Sequence, residues 1–339
     1  MMAERPCLAF ALHPGRTQHV FTPALRSRLD ACCVVLDHEP LRRLDDDRAI
    51  GLLAQAEILI TGWGCPRVDR STLTRARKLK LIAHSAGSVR HFLDPHLFDL
   101  GITLSHAAAA NAQPVAEYAL AAILFANKRA FCFNRMYGET RARGPELVSL
   151  TNAPLGNYRS SVGLIGASRI GRRVIELLRP FDVDILLYDP FVSPDEARTL
   201  GVRLETLDAL LESAQVVSLH APSLASTHHM IDARRLALIR DGATLVNTAR
   251  GALIDQAALE AELRTGRFQA VIDVTDPEIP DPDSPLYDMP NVFLTPHIAG
   301  ALGTERERLG ELTVTEVERW VEGQPLRHVV TPDRFDLIA

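Results

Sequence analysis

The stretch V-G-L-I-G-A-S-R-I-G covers residues 162–171. Gly166, Ser168 and Gly171 fill the three glycine positions of a G-x-G-x-x-G turn, with serine in the middle. Ser161–Ile165, just before it, is an apolar run of strand length, and a helical pattern begins at Arg169. A glycine turn between a strand and a helix is the setting in which this pattern binds a dinucleotide. The first glycine makes the tight turn and the third lets the helix pack close to the sheet. The helix N-terminus offers N–H groups and positive partial charge to a pyrophosphate. Ser168 narrows the approach, but it is small and its hydroxyl can donate to phosphate. The next strand ends in Y-D-P, with Asp189 lying 18 residues beyond Gly171 (189 − 171). A carboxylate at that spacing binds the adenosine ribose hydroxyls and repels a 2′-phosphate, so NAD is expected rather than NADP.

The pattern around the turn repeats along the chain. Strands are expected at Cys7–Leu12, Cys33–Asp37, Ile58–Thr61, Leu79–His84 and Ile102–Ser105. A second series comprises Ser161–Ile165, Asp184–Tyr188, Val216–His220, Thr244–Asn247, Ala270–Val274 and Val292–Thr295. Most are continuous apolar runs, the mark of strands buried on both faces, and helical stretches such as Arg169–Leu178 and Gln256–Thr265 alternate with them. This predicts an α/β protein with two doubly wound parallel-sheet domains. Residues 1–110 form the first part of one domain, 111–300 the second domain, and 301–339 return to the first. Asn111 is expected to cap a long helix with Pro114 in its first turn, ending near Arg129. The polar segment Tyr137–Arg159 is expected to be a long loop or arm, and a last helix spans about Glu305–Glu322.

Composition narrows the class. The chain has 339 residues, 47 % of them hydrophobic, and a net charge of −5. That charge argues against nucleic acid or an anionic membrane as partner. The five cysteines are odd in number and form no C-x-x-C, so neither a disulfide framework nor a zinc knuckle is expected, and a reducing cytoplasm fits. No metal site is expected. Cys7–Leu12 is too short for a signal core, and residues 118–126 are half of what a membrane span needs.

Three further stretches follow strand patterns: N-T-A-R-G-A-L-I-D at 247–255, D-V-T-D-P-E at 273–278 and T-P-H-I-A-G at 295–300. Strand carboxyl ends form the binding crevice of a doubly wound sheet, so Arg250, Glu278 and His297 can converge there. That set suits reversible hydride transfer to a 2-keto acid. The arginine grips carboxylate and carbonyl, the histidine passes a proton, and the glutamate orients and charges the histidine.

At these residues the chain resembles the D-isomer-specific 2-hydroxyacid dehydrogenases, and is phosphoglycerate dehydrogenase-like. The likeness is strongest from Gly163 to Gly300 and includes H-A-P at 220–222 and P-L-Y-D-M-P-N-V-F-L-T-P-H-I-A-G. It implies that Arg250 binds substrate, that His297 is the acid/base and that Glu278 pairs with it. It also implies an NAD site lined by Gly166, Ser168, Arg169, Ile170, Gly171, Asp189, His220, Pro222, Thr248, Ala249, Arg250, Asp273, His297 and Gly300. The loop at Ala86, Gly87 and Ser88 would give N–H groups to the substrate carboxylate. The family further implies a Rossmann NAD domain, a flavodoxin-like discontinuous substrate domain and a homodimer. The chain departs from the family pattern at Ser168, at Thr275 where phenylalanine is common, at E-I-P after Glu278, and at A-G-S-V-R-H, residues 86–91, in place of a G-V-D-N-like loop. Trp63, in T-G-W-G, is either a substrate-pocket wall or packing at a loop base. The competing functional reading is a non-catalytic, NAD(H)-sensing regulatory protein on the same fold.

Overall fold

A computed structural model describes residues 5–337. The strands in chain order are β1 (Cys7–Ala11), β2 (Val34–Val35), β3 (Ile58–Thr61), β4 (Leu81–His84), β5 (Thr103–His106), β6 (Ser160–Ile165), β7 (Val183–Tyr188), β8 (Arg203–Leu204), β9 (Val216–Leu219), β10 (Thr244–Asn247), β11 (Gln269–Ile272), β12 (Val292–Leu294) and β13 (Val329–Val330). They build two sheets, one in each of two compact units. Unit 1 holds the residues up to Asn111 and those from Ala301 on; unit 2 is Ala112–Gly300.

In unit 1 the order is β13-β5-β4-β3-β1-β2, parallel except for β13, which runs antiparallel to β5. Without β13 this is the 2-1-3-4-5 order of flavodoxin-like sheets. In unit 2 the order is β12-β11-β10-β9-β6-β7-β8, all parallel. Numbered from β6, that is the Rossmann order 3-2-1-4-5-6 with one strand added, and its switch point lies between β6 and β9. Central strands such as β3, β9 and β10 are buried throughout, as their unbroken apolar runs require. Helix Arg169–Leu178 buries Val174, Ile175 and Leu178 against the unit 2 sheet.

Three features differ from the sequence expectations. The long helix is Ala108–Asn127, so Asn111 lies inside it. Alanines 107–110 have the strongest helix propensity, and His106 Nδ1 accepts the Ala108 N–H at 3.1 Å, so the helix begins early. Asn111 Oδ1 instead accepts the Ala301 N–H at 3.1 Å. The segment read as an arm contains the end of helix Ala130–Thr140 and all of helix Pro145–Thr151. The first buries no residue fully, which blurs its periodicity. Pairs one turn apart support it, Cys132 with Met136 and Arg135 with Glu139. The two-residue strands β8 and β13 gave no pattern long enough to read, and β2 is shorter than its apolar run.

Candidate active site of unit 2

The crevice edge begins at the glycine turn. Gly166 leaves β6 with φ +102, and a β-carbon there would lie 2.7 Å from the Ala221 nitrogen, so only glycine lets the turn pass beneath the end of β9. Ser168 is the N-cap of helix Arg169–Leu178, its oxygen accepting the Gly171 N–H at 3.3 Å. The cap takes the acceptor side of the hydroxyl and leaves its proton to donate. The N–H groups of Arg169 and Ile170 have no carbonyl within the helix to bond, the condition that favours an anion there. Asp189, at the end of β7, accepts from the Ala167 N–H at 2.7 Å and the Phe191 N–H at 2.8 Å. It thus fixes the glycine turn, and each oxygen keeps acceptor capacity for a ribose hydroxyl.

Beyond β10, Asn247 shapes the turn that carries Arg250. Its Oδ1 accepts the Ala249 N–H at 3.1 Å and its Nδ2 donates to the Arg250 carbonyl at 3.0 Å. A side chain at Gly251 would overlap the Thr275 carbonyl, so the chain after β11 packs directly on this turn. Arg250 is half-buried. Burial pulls its guanidinium below the usual range, and the Glu278 carboxylate pushes the other way.

Asp273, 2 % exposed at the end of β11, organises the T-P-H-I-A-G loop. One carboxylate oxygen accepts from the Thr295 hydroxyl at 2.6 Å and the Ile298 N–H at 2.8 Å, and the other from the Ala299 N–H at 2.9 Å. His297 lies between those groups with φ +53, a left-handed conformation that residues other than glycine seldom adopt. Its own N–H bonds the Asp273 carbonyl at 2.9 Å. The buried carboxylate therefore holds the strained histidine in place, and the strain aims its ring. His297 Nδ1 is hydrogen-bonded to Glu278 Oε1. The side chains are 47 % and 60 % exposed, so the pair is open to small molecules.

Two further residues support the site, Tyr118, which the sequence analysis did not single out, and Thr275, which it noted only as a departure from the family pattern. Tyr118, in helix Ala108–Asn127, hydrogen-bonds the Thr295 hydroxyl at 2.9 Å. Since Thr295 gives its proton to Asp273, Tyr118 is the donor in that bond. Burial pushes the Tyr118 phenol up, which keeps it protonated. Thr275 donates to the Glu278 carbonyl at 3.1 Å, so the residue standing where the family has phenylalanine pins the loop that carries Glu278. Nothing in residues 118–126 but an apolar helix pattern was visible, so Tyr118 carried no signal of its own.

The remaining residues implied by the resemblance are spread along the same edge. His220, after β9, is 3 % exposed with neither ring nitrogen partnered, and burial pushes it down to about 4. Thr248, after β10, has a buried hydroxyl without a partner. Ala249 is buried, Pro222 and Gly300 are half-buried, and Arg169 is exposed. Ala86, Gly87 and Ser88 lie in unit 1, after β4. A crevice with an anion-ready helix start, a ribose-ready carboxylate and orphaned buried polar atoms fits a dinucleotide, whose polar groups would complete them.

Comparison with known proteins agrees. Residues 120–299 match the family model described as D-isomer specific 2-hydroxyacid dehydrogenase, NAD binding domain. The chain belongs to this family, and its cofactor is NAD. The D-3-phosphoglycerate dehydrogenase of Archaeoglobus fulgidus is 29 % identical over 265 residues, covering 78 % of this chain and 49 % of that protein. The chain thus spans about half the length of such relatives. The glyoxylate reductase of Thermofilum pendens is 30 % identical over 320 residues, 88 % of each chain. The crystal structure of the TT0316 protein from Thermus thermophilus superposes with a TM-score of 0.76 at 30 % identity, covering 96 % of this chain and 100 % of that one.

Proposed function

We propose that this protein is an NAD-dependent oxidoreductase that interconverts a 2-keto acid and the corresponding D-2-hydroxy acid. The observation that carries the reading is the His297–Glu278 hydrogen bond, made at the ends of strands β11 and β12 beside β10, whose turn carries the half-buried Arg250. NAD held at the start of helix Arg169–Leu178 and by Asp189 would supply the hydride chemistry. With Nδ1 engaged by Glu278, the other nitrogen of His297 is the one left to exchange a proton with the substrate oxygen. Glu278 fixes the ring's orientation and favours the imidazolium when it forms. Arg250, still a cation at neutral pH, takes the substrate carboxylate and carbonyl in its fork. The Asp273–Thr295–Tyr118 chain keeps the His297 loop in its strained shape through each turnover.

By the family resemblance, residues 111–300 carry the cofactor, while residues 1–110 and 301–339 serve the substrate, with Ala86, Gly87 and Ser88 giving N–H groups to its carboxylate. A homodimer and a reducing compartment belong to the same proposal. The five cysteines are free, and on unit 2 Phe131 stacks on Phe293 at 4.4 Å beside Phe125, which is 55 % exposed. Apolar surface of that kind is what an interface covers.

The test is NADH oxidation with glyoxylate, hydroxypyruvate, pyruvate, 2-ketoisocaproate, phenylpyruvate and phosphohydroxypyruvate. Turnover of at least one, faster with NADH than with NADPH, supports the reading. NADH binding without turnover of any would favour the NAD(H)-sensing protein instead.

A further inference from the structure

The loop that carries Glu278 runs from Thr275 to Ser284 without helix or strand. Thr275, Pro280 and Ser284 are buried, but the residues from Asp276 to Ile279 are exposed, so apolar packing does not fix Glu278. A carboxylate that orients a histidine must itself be held. Hydrogen bonds supply the hold, and two of them come from one helix, Gln256–Leu263. Gln256 Oε1 accepts the Asp276 N–H at 2.9 Å, two residues before Glu278. Gln256 Nε2 donates to Glu260 Oε1 at 3.5 Å, one turn along the helix. The same Glu260 oxygen accepts from the Ser284 hydroxyl at 3.2 Å. Both ends of the loop are thereby tied to one helix face. These contacts leave one orientation for the Gln256 amide, because an N–H donor needs its oxygen and a carboxylate needs its nitrogen. Alanine at 256 would supply neither group. Glutamate would supply the acceptor but face Glu260 with like charge one turn away. The helix follows directly on the Arg250 turn, and its cap is Asp255, whose Oδ1 accepts the Ala258 N–H at 3.1 Å.

We propose that Gln256 is a positioning residue of the active site: by joining the Asp276 N–H to Glu260, it holds Glu278 against His297. The role rests on the activity proposed above, and it is exerted through Glu278.

The direct readout is the tautomer of His297, which needs no turnover. A neutral imidazole bonded through Nδ1 to a carboxylate, which can only accept, carries its proton on Nδ1. Released from the carboxylate, the ring returns to the Nε2–H form that a free histidine side chain favours. Ring nitrogen shifts of ¹⁵N-histidine protein distinguish the two forms at about pH 9, above the ordinary histidine range, with the His297 signals identified by their loss in His297→Ala. The unmodified protein should show the Nδ1–H form. Gln256→Ala and Gln256→Glu should shift the ring mainly to Nε2–H. The double variant Gln256→Glu, Glu260→Gln restores one acceptor, one donor and one acid, and should return it to Nδ1–H. In the two single variants kcat/KM should fall about tenfold or more, with the NADH dissociation constant changed less than about threefold. A ring that stays Nδ1–H in both single variants overturns the proposal, whether or not the protein reduces a 2-keto acid. An Nε2–H ring in the unmodified protein overturns the proposal and the His297–Glu278 pair together. The expected tautomers without turnover of any 2-keto acid would contradict the activity and support the positioning role.

Discussion

The two units treat the polar side chains of their strand-end loops in opposite ways. In unit 2, Asp189, Asn247 and Asp273 are turned onto their own backbone, each accepting at least one N–H of the loop it serves. In unit 1, Arg16 and Arg306 lie over the Trp63 indole, and among the described residues neither is ion-paired. The first arrangement fixes geometry. It holds a glycine turn, an arginine turn and a left-handed histidine where chemistry needs them. The second holds two cations against an aromatic ring. Position near a binding edge is therefore a poor guide to role, and the fate of each polar atom is a better one.

The sharpest way to break that contrast is at Asp273. Asp273→Ala leaves two loop N–H groups and the Thr295 hydroxyl without their acceptor. At about 1–3 kcal/mol for each unmet buried donor, a loss of 3 kcal/mol or more is expected in urea unfolding, with activity falling further than NADH affinity. A destabilisation below about 1 kcal/mol would mean that the loop does not depend on this carboxylate. Arg250→Lys follows in size. Lysine cannot reproduce the fork, so kcat/KM should drop on the order of 100-fold, about 2.7 kcal/mol, with NADH affinity little changed.

The buried histidines give a pH test. Burial pushes His220 down to about 4 and His84 to about 3, from an ordinary value of 6.5. Below 6.5 the unfolded chain gains these protons while the folded chain does not, so it holds more protons across the window. Stability contributed by the neutral rings is therefore complete above pH 6.5 and is lost as pH falls toward 4. Unfolding midpoints should decline through that range, and His220→Gln should flatten part of the slope. Equal slopes in the two proteins would place the acid sensitivity elsewhere. The smallest effect belongs to the serine of the glycine turn. Ser168→Gly should cost a few tenths of a kcal/mol and keep NADH binding within about tenfold, whereas Ser168→Ala loses the cap at about 1 kcal/mol.

Much of this architecture could be read from residues because buried parallel strands write themselves as apolar runs. All eleven anticipated strands exist, and their ends locate Gly166, Asp189, Asp273 and the T-P-H loop. What could not be read depends on contacts between distant segments. Asn111 looked like a helix cap, but its partner is Ala301. Tyr118 belonged to an apolar helix pattern, and only the fold brings it to Thr295. Glu278 was one acid among several in a proline-rich loop until the resemblance singled it out, and its bond to His297 requires a backbone conformation that no local propensity favours. The pairing of Trp63 with two arginines likewise joins positions 16, 63 and 306, with no spacing rule to announce it.

The central claim is that His297 moves the proton and does not merely bind. The direct measurement is single-turnover NADH oxidation by the His297→Ala protein, using whichever 2-keto acid the unmodified protein reduces best, beside NADH binding by the same variant. Loss of a positioned acid/base is worth about 10²–10⁴-fold. The account predicts a fall in the chemical step of at least about 100-fold, with the NADH dissociation constant changed less than about threefold. A variant that oxidises NADH at a rate near that of the unmodified protein would contradict it.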